Sequence, residues 1–199
     1  MTITRVSVAT IATLVLATPA SAHSGAALSG GFLAGFAHPF SGPDHLLAMV
    51  SVGLWGAFLG RPLIVALPVI FPTVMAFGGV LGMLGTPMPP VEYGIAISVI
   101  VLGTAVASGW RAPVWLASLM ITVFAIFHGY AHGAELPSMA DPVAFSLGFV
   151  LATGSLHVAG IAIGLLANGP RGAAVVRSIG GAIVLAGVYY LARAAGMIT

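Results

Sequence analysis

Residues 26–60 read AALSGGFLAGFAHPFSGPDHLLAMVSVGLWGAFLG. As one unbroken helix this stretch would be about 50 Å long, against a bilayer hydrocarbon core of about 30 Å. It is almost wholly apolar, but it is interrupted at His38-Pro39-Phe40-Ser41-Gly42-Pro43-Asp44. Proline lacks the N–H that a helix ladder needs, and its ring crowds the preceding turn, so Pro39 and Pro43 around Gly42 mark a break near residues 38–44. Two architectures remain: two full crossings, or a single crossing whose outer half is broken or re-entrant. The choice fixes the side of the membrane on which every later loop falls.

The rest of the chain has the same character. Of 199 residues, 59% are hydrophobic and 5% charged, where a soluble domain carries about 25% charged residues. The mean hydropathy of +1.14 means that most of this apolar surface faces lipid. Residues 62–85, 91–109, 113–132, 142–167 and 172–197 each approach or exceed the roughly 20 apolar residues of a membrane helix. Arg61, Arg111 and residues 86–90, 135–141 and 168–171 form the joints. Such short joints make consecutive helices antiparallel. With no internal repeat and no low-complexity linker, the expectation is one all-α polytopic membrane helix bundle over residues 23–199.

Residues 1–22 have the plan of a secretory signal peptide. Arg5 is the basic start, residues 6–18 are a short apolar run, and Ala20-Ser21-Ala22 is the cleavage signal. Cleavage leaves His23 as the mature N-terminus, outside the cytoplasm. A bacterial inner membrane is the expected location, with a periplasmic N-terminus.

Arginine placement chooses between the two architectures, because Lys and Arg concentrate in cytoplasmic loops. If the chain starts outside at His23 and residues 26–60 cross once, Arg61, Arg111, Arg171 and Arg177 fall inside. Glu92, Glu135 and Asp141 then fall outside; only Arg193 dissents. Two crossings would reverse every one of these. The reading is therefore six crossings, the first of them broken.

All six basic residues are arginine, too few and too scattered for a nucleic-acid surface. There is no cysteine, hence no disulfide, no iron–sulfur ligation and no thiolate trap. Ionisable groups inside spans are costly and point to function. Here they are His38, Asp44, His45, His128, His132 and His157, with Glu135 just beyond a helix end. His45 is 16 residues from Arg61, His128 is 17 from Arg111 and His157 is 14 from Arg171. At 1.5 Å per residue this predicts nearly one level, about 21–26 Å above the inner face.

His128 and His132 are four apart and Glu135 is seven beyond His128, so all three share one helix face. Two imidazoles at that spacing can chelate one ion. Gly129 and Gly133 remove bulk beside them and let another helix come close. Asp44, opening the helix after the break, is expected as an N-cap, as a ligand, or as both. Unpaired backbone at the break is tolerable at membrane depth where it lines a cavity, a recurrent device in transporters. Met49 is expected to be packing, and Ser155 is a candidate partner for His157. Imidazole with carboxylate suits divalent nickel, cobalt and zinc alike.

The two clusters carry a family pattern. His38-Pro-Phe-Ser-Gly-Pro-Asp44-His45 fits H-x5-D-H, and Phe127-His128-Gly129-Tyr130-Ala131-His132-Gly133-Ala134-Glu135 fits F-H-G-x-A-H-G-x-E. With these motifs, and with residues 46–55 and 152–160, the mature chain resembles the HupE/UreJ family of nickel permeases. The resemblance implies uptake of nickel, sometimes cobalt, as the transported substrate, without ATP and with no permanently bound cofactor. It also implies a functional link to hydrogenase or urease accessory proteins. The expected metal ligands are His38, Asp44, His45, His128, His132, Glu135 and His157, with the His23 amino group and ring as an outermost chelate. The nickel preference comes from the resemblance alone.

Rival classes are a redox protein with haem between two histidines such as His128 and His157, a membrane metalloenzyme, and a metal sensor that carries no flux. The sequence has no P-loop, no H-E-x-x-H and no G-x-S-x-G, which favours a non-enzyme.

Overall fold

The computed structural model of the chain describes residues 31–134, 141–166 and 169–198. The signal-peptide reading, His23 and Glu135 fall outside the described residues. Among those described, the chain is all-α: α1 Phe32–Ser41, α2 Pro43–Leu59, α3 Leu63–Met83, α4 Val91–Ser108, α5 Val114–Ala134, α6 Pro142–Leu165 and α7 Gly169–Ala194. The last five are long and apolar enough to cross a membrane; α2 is a shorter apolar helix. The break in the first element is sharper than expected. Pro39 is accommodated inside α1, the chain turns at extended Gly42, and Pro43 opens α2 where its missing N–H has no helical partner to lose.

Helix pairing establishes how the broken element runs. A Cβ at Gly35 would strike the Phe145 carbonyl, one at Gly148 the Phe32 carbonyl, one at Gly53 the His157 carbonyl, and one at Gly160 the Val50 carbonyl. Further along, Gly164 meets Leu54 and Ala57 where Gly160 meets Val50 and Gly53, so α2 runs parallel to α6; α1 meets the start of α6 and α2 its later half, so the element advances along α6 in one direction. A hairpin of two crossings would place one of them antiparallel. The element is therefore a single line through the bundle, interrupted at Gly42. Small residues without side-chain bulk let these backbones touch, which in lipid is the main source of packing energy.

The same device joins α3 to α5, where Gly78 and Gly82 face Ile126 and Tyr130, while Gly129 and Gly133 face Met75 and Gly79. This pair is also parallel. Gly103, Gly180 and Gly187 seat α4 against α7 in the antiparallel sense. All three senses agree with the alternation expected of six crossings. At the end bearing Arg61 and Arg111, the Trp55 indole N–H donates to the Trp110 carbonyl at 2.9 Å and the two rings stack at 5.7 Å. Asp141 caps α6, its Oδ1 accepting from the Val143 and Ala144 amides.

Orientation can be checked directly, since the native chain has no cysteine. A single cysteine at exposed Pro87, between α3 and α4, is expected to react with a membrane-impermeant maleimide in intact spheroplasts. One at exposed Ser108, at the far end of α4, is expected to react only after permeabilisation. The opposite pattern would restore two crossings in residues 26–60.

Candidate metal site

The break at Gly42 is what turns an apolar helix into a site. His38 lies in the last turn of α1, and Asp44 and His45 lie in the first turn of α2. The α1 terminus offers carbonyls with partial negative charge, and the α2 terminus offers amides. Asp44 does not take the N-cap position; Gly42 does. At the second helical position, the Asp44 carboxylate turns on its neighbour instead. Its Oδ1 accepts the His45 backbone N–H at 2.8 Å and the His45 Nδ1–H at 2.9 Å. That second bond leaves the His45 Nε2 as the lone-pair nitrogen.

From α5 come His128 and His132. The His128 Nδ1–H donates to the Phe124 carbonyl at 2.9 Å, one helical turn back, so its Nε2 also carries the lone pair. The His132 Nδ1 is 3.0 Å from the His38 Nε2. With His132 as donor in that bond, its own Nε2 becomes a third lone-pair nitrogen. The Nε2 atoms of His45, His128 and His132 are all buried and have no hydrogen-bond partner. Their rings are neighbours: His45 is 5.0 Å from His128 and 4.5 Å from His132, centre to centre, and His38 is 4.8 Å from His132. Four histidines and one aspartate from three helices thus form one cluster.

The rings meet at steep angles of 53–79° rather than converging on a point. Among the described residues no three His, Asp or Glu side chains are yet drawn together as a finished cation site. Ring rotation about the Cβ–Cγ bond is what remains, and it needs open space beside the rings. Such space exists. A cleft of about 240 Å³ between α3, α5 and α6 is lined by Met75, Gly79, Met83, His132, Phe145 and Phe149. It reaches the cluster at His132.

His157 departs from the expectation of equal depth. Its backbone abuts Gly53, two helical turns beyond His45 on α2, or about 12 Å. Counting from helix ends explains this. His45 and His128 stand fourteen residues from the Leu59 and Val114 ends, but His157 is only eight from Leu165. Arg171 already belongs to α7, so it was the wrong marker for the end of α6. Phe71 meets both imidazoles, its ring 5.4 Å from His128 and 5.4 Å from His157. That ring occupies the space in which a haem macrocycle bridging His128 and His157 would have to sit. Ser155 is not the partner of His157; its hydroxyl donates to the Leu151 carbonyl. Met49 is core packing, fully buried.

Two aromatic neighbours carried no signal in the sequence. Phe149 packs edge-on to His132 at 4.4 Å, and Phe71 reaches the cluster from α3. Neither belongs to a spaced motif, and only the packing of α3 and α6 brings them in.

The family model described as HupE / UreJ protein matches residues 11–190. Protein HupE of Rhizobium leguminosarum bv. viciae is 45% identical over 182 residues, covering 92% of this chain and 95% of that relative. No solved structure matches the chain.

Proposed function

Because the chain belongs to the HupE/UreJ family, we propose that it is a secondary permease that takes up nickel ions across a bacterial inner membrane and supplies hydrogenase or urease maturation. Cobalt or another divalent ion is the alternative cargo. The observation that carries the reading is the trio of buried, unpartnered Nε2 atoms on His45, His128 and His132 beside the Asp44 carboxylate. A buried polar atom without a partner costs free energy, so a fold that retains three together retains them for a ligand. Imidazole lone pairs with one carboxylate make a donor set for a borderline divalent transition metal.

In this mechanism Glu135 and the His23 terminus capture the ion at the periplasmic face. The ion then reaches His132 through the cleft, with His38 holding the His132 ring. His45 and His128 turn their Nε2 atoms onto it, and the Asp44 charge offsets part of the dication. Neutral imidazoles and the absence of thiolate keep the affinity moderate, which release requires. His157 receives the ion on the inward side. The chain acts without enzymatic chemistry and without a resident cofactor; its partners are the ion, the bilayer and the hydrogenase or urease accessory machinery.

Radiolabelled nickel uptake at submicromolar concentration tests the site. His128→Ala, inserted in the membrane at normal level, is expected to lose about 10–100-fold of the rate. Uptake at the wild-type rate would remove His128 from the path. An excess of cobalt that abolishes nickel uptake would make cobalt an equal cargo, and nickel binding without flux into liposomes would leave a sensor rather than a permease.

A further inference from the structure

We infer that the chain holds a second, inner cation station formed by His157, Thr153 and the Pro68 backbone carbonyl, set apart from the outer imidazole cluster by the ring of Phe71. The inference rests on the proposed metal path and specifies the donors of its inward stage.

Three independent features meet at this point. The first is an orphaned carbonyl. Pro72 lies inside α3 and has no N–H, so the Pro68 carbonyl four residues earlier has no partner in the helix ladder. That carbonyl lies against the His157 ring. The second is the ring itself: His157 is fully buried, and neither of its nitrogens makes a hydrogen bond of ordinary geometry. An N–H turned toward the Pro68 carbonyl would leave the other nitrogen as a lone-pair donor, as the His128 bond to the Phe124 carbonyl does for His128.

The third is a hydroxyl. Three hydroxyl side chains are fully buried among the described residues. Ser51 donates back to the Leu47 carbonyl and Ser98 to the Ile95 carbonyl, the ordinary resting place for a helical hydroxyl. Thr153 does neither, and its Oγ1 has no partner. It sits four residues before His157 on the same face of α6. Four residues earlier again on that face is Phe149, which packs on His132. The line Phe149, Thr153, His157 therefore leads inward from the outer cluster.

The two stations differ in donor chemistry. The outer one holds a carboxylate; the inner one has imidazole, hydroxyl and carbonyl, all neutral. Neutral donors hold a dication more weakly, so an ion that has reached the inner station leaves it more readily than one held at the outer cluster. Phe71 touches an imidazole of each station and keeps the two apart in this conformation.

The test is equilibrium dialysis of the purified mature chain in detergent against radiolabelled nickel, with flux into proteoliposomes measured in parallel. Wild type is expected to bind two ions per chain with separable affinities. His157→Ala should bind one, with the tighter affinity unchanged, and lose about tenfold of the flux. Thr153→Val, nearly the same shape, guards against misfolding. Without nickel it should melt at a higher temperature than wild type, because an unpartnered buried hydroxyl has been removed. With nickel it should bind the second ion more weakly. One ion in wild type, with flux unaffected by His157→Ala, overturns the inner station and leaves the permease reading intact. A lower metal-free melting temperature for Thr153→Val also overturns it. A wild-type chain with neither binding nor flux overturns both readings.

Discussion

Asp44→Asn is expected to lower nickel uptake by about 100-fold or more while the chain still folds. The substitution separates charge from geometry. An asparagine Oδ1 can still accept the His45 backbone N–H and the His45 Nδ1–H, the two bonds the carboxylate makes now. The ring therefore keeps its orientation and its free Nε2. What disappears is the negative charge, and among the described residues Asp44 is the only carboxylate within the cluster. A dication moved from water into a site of neutral imidazoles alone carries its full desolvation cost. Uptake of the variant is compared with wild type at equal membrane abundance. A variant within twofold of wild type would mean that Asp44 serves only to hold the ring.

Gly129→Val is expected to be the most damaging single change to the fold. A Cβ at this position overlaps the Met75 carbonyl and comes within 2.9 Å of the Gly79 nitrogen. The obstacle is backbone on a neighbouring helix, which cannot rotate away as a side chain can. Separating α3 from α5 also displaces His128 and His132, which α5 carries. A destabilisation of about 3 kcal/mol or more is expected, at the upper end for overpacking. The readout is melting temperature in detergent together with uptake, both of which should collapse. Gly154→Ala is the control, because nothing lies within 4 Å of its added carbon; it should be neutral or stabilising by about 0.5–1 kcal/mol. Normal folding and uptake in Gly129→Val would mean that α3 and α5 do not pack as described.

Much of the candidate site was legible because its side chains come from two local motifs. In HPFSGPDH the proline and glycine positions mark the break, and the break puts His38 and His45 at facing helix ends. In FHGYAHG the four-residue spacing puts His128 and His132 on one face while the glycines clear another. These are consequences of helix geometry and proline chemistry, and they need no tertiary information. The depth of His157 was not legible, since it depends on where α6 ends relative to α7. Nor was the role of Asp44 in the first turn: whether a carboxylate caps the helix or holds a neighbouring ring depends on a difference of two residues.

The sequence by itself determined the helical membrane class, the interruption of the first element and the two motifs that supply the clustered histidines and Asp44. Composition, helix periodicity and the chemistry of proline and histidine suffice for those. Tertiary structure alone decided that α1 and α2 run one way along α6, that His132 bonds His38, and that Phe71 touches both His128 and His157. Each of these depends on which helix faces meet, and in a chain that is apolar on nearly every face the hydrophobic pattern does not say. Glycines do, by letting backbones approach only where partner and register both fit, and that fit is a property of the packed bundle.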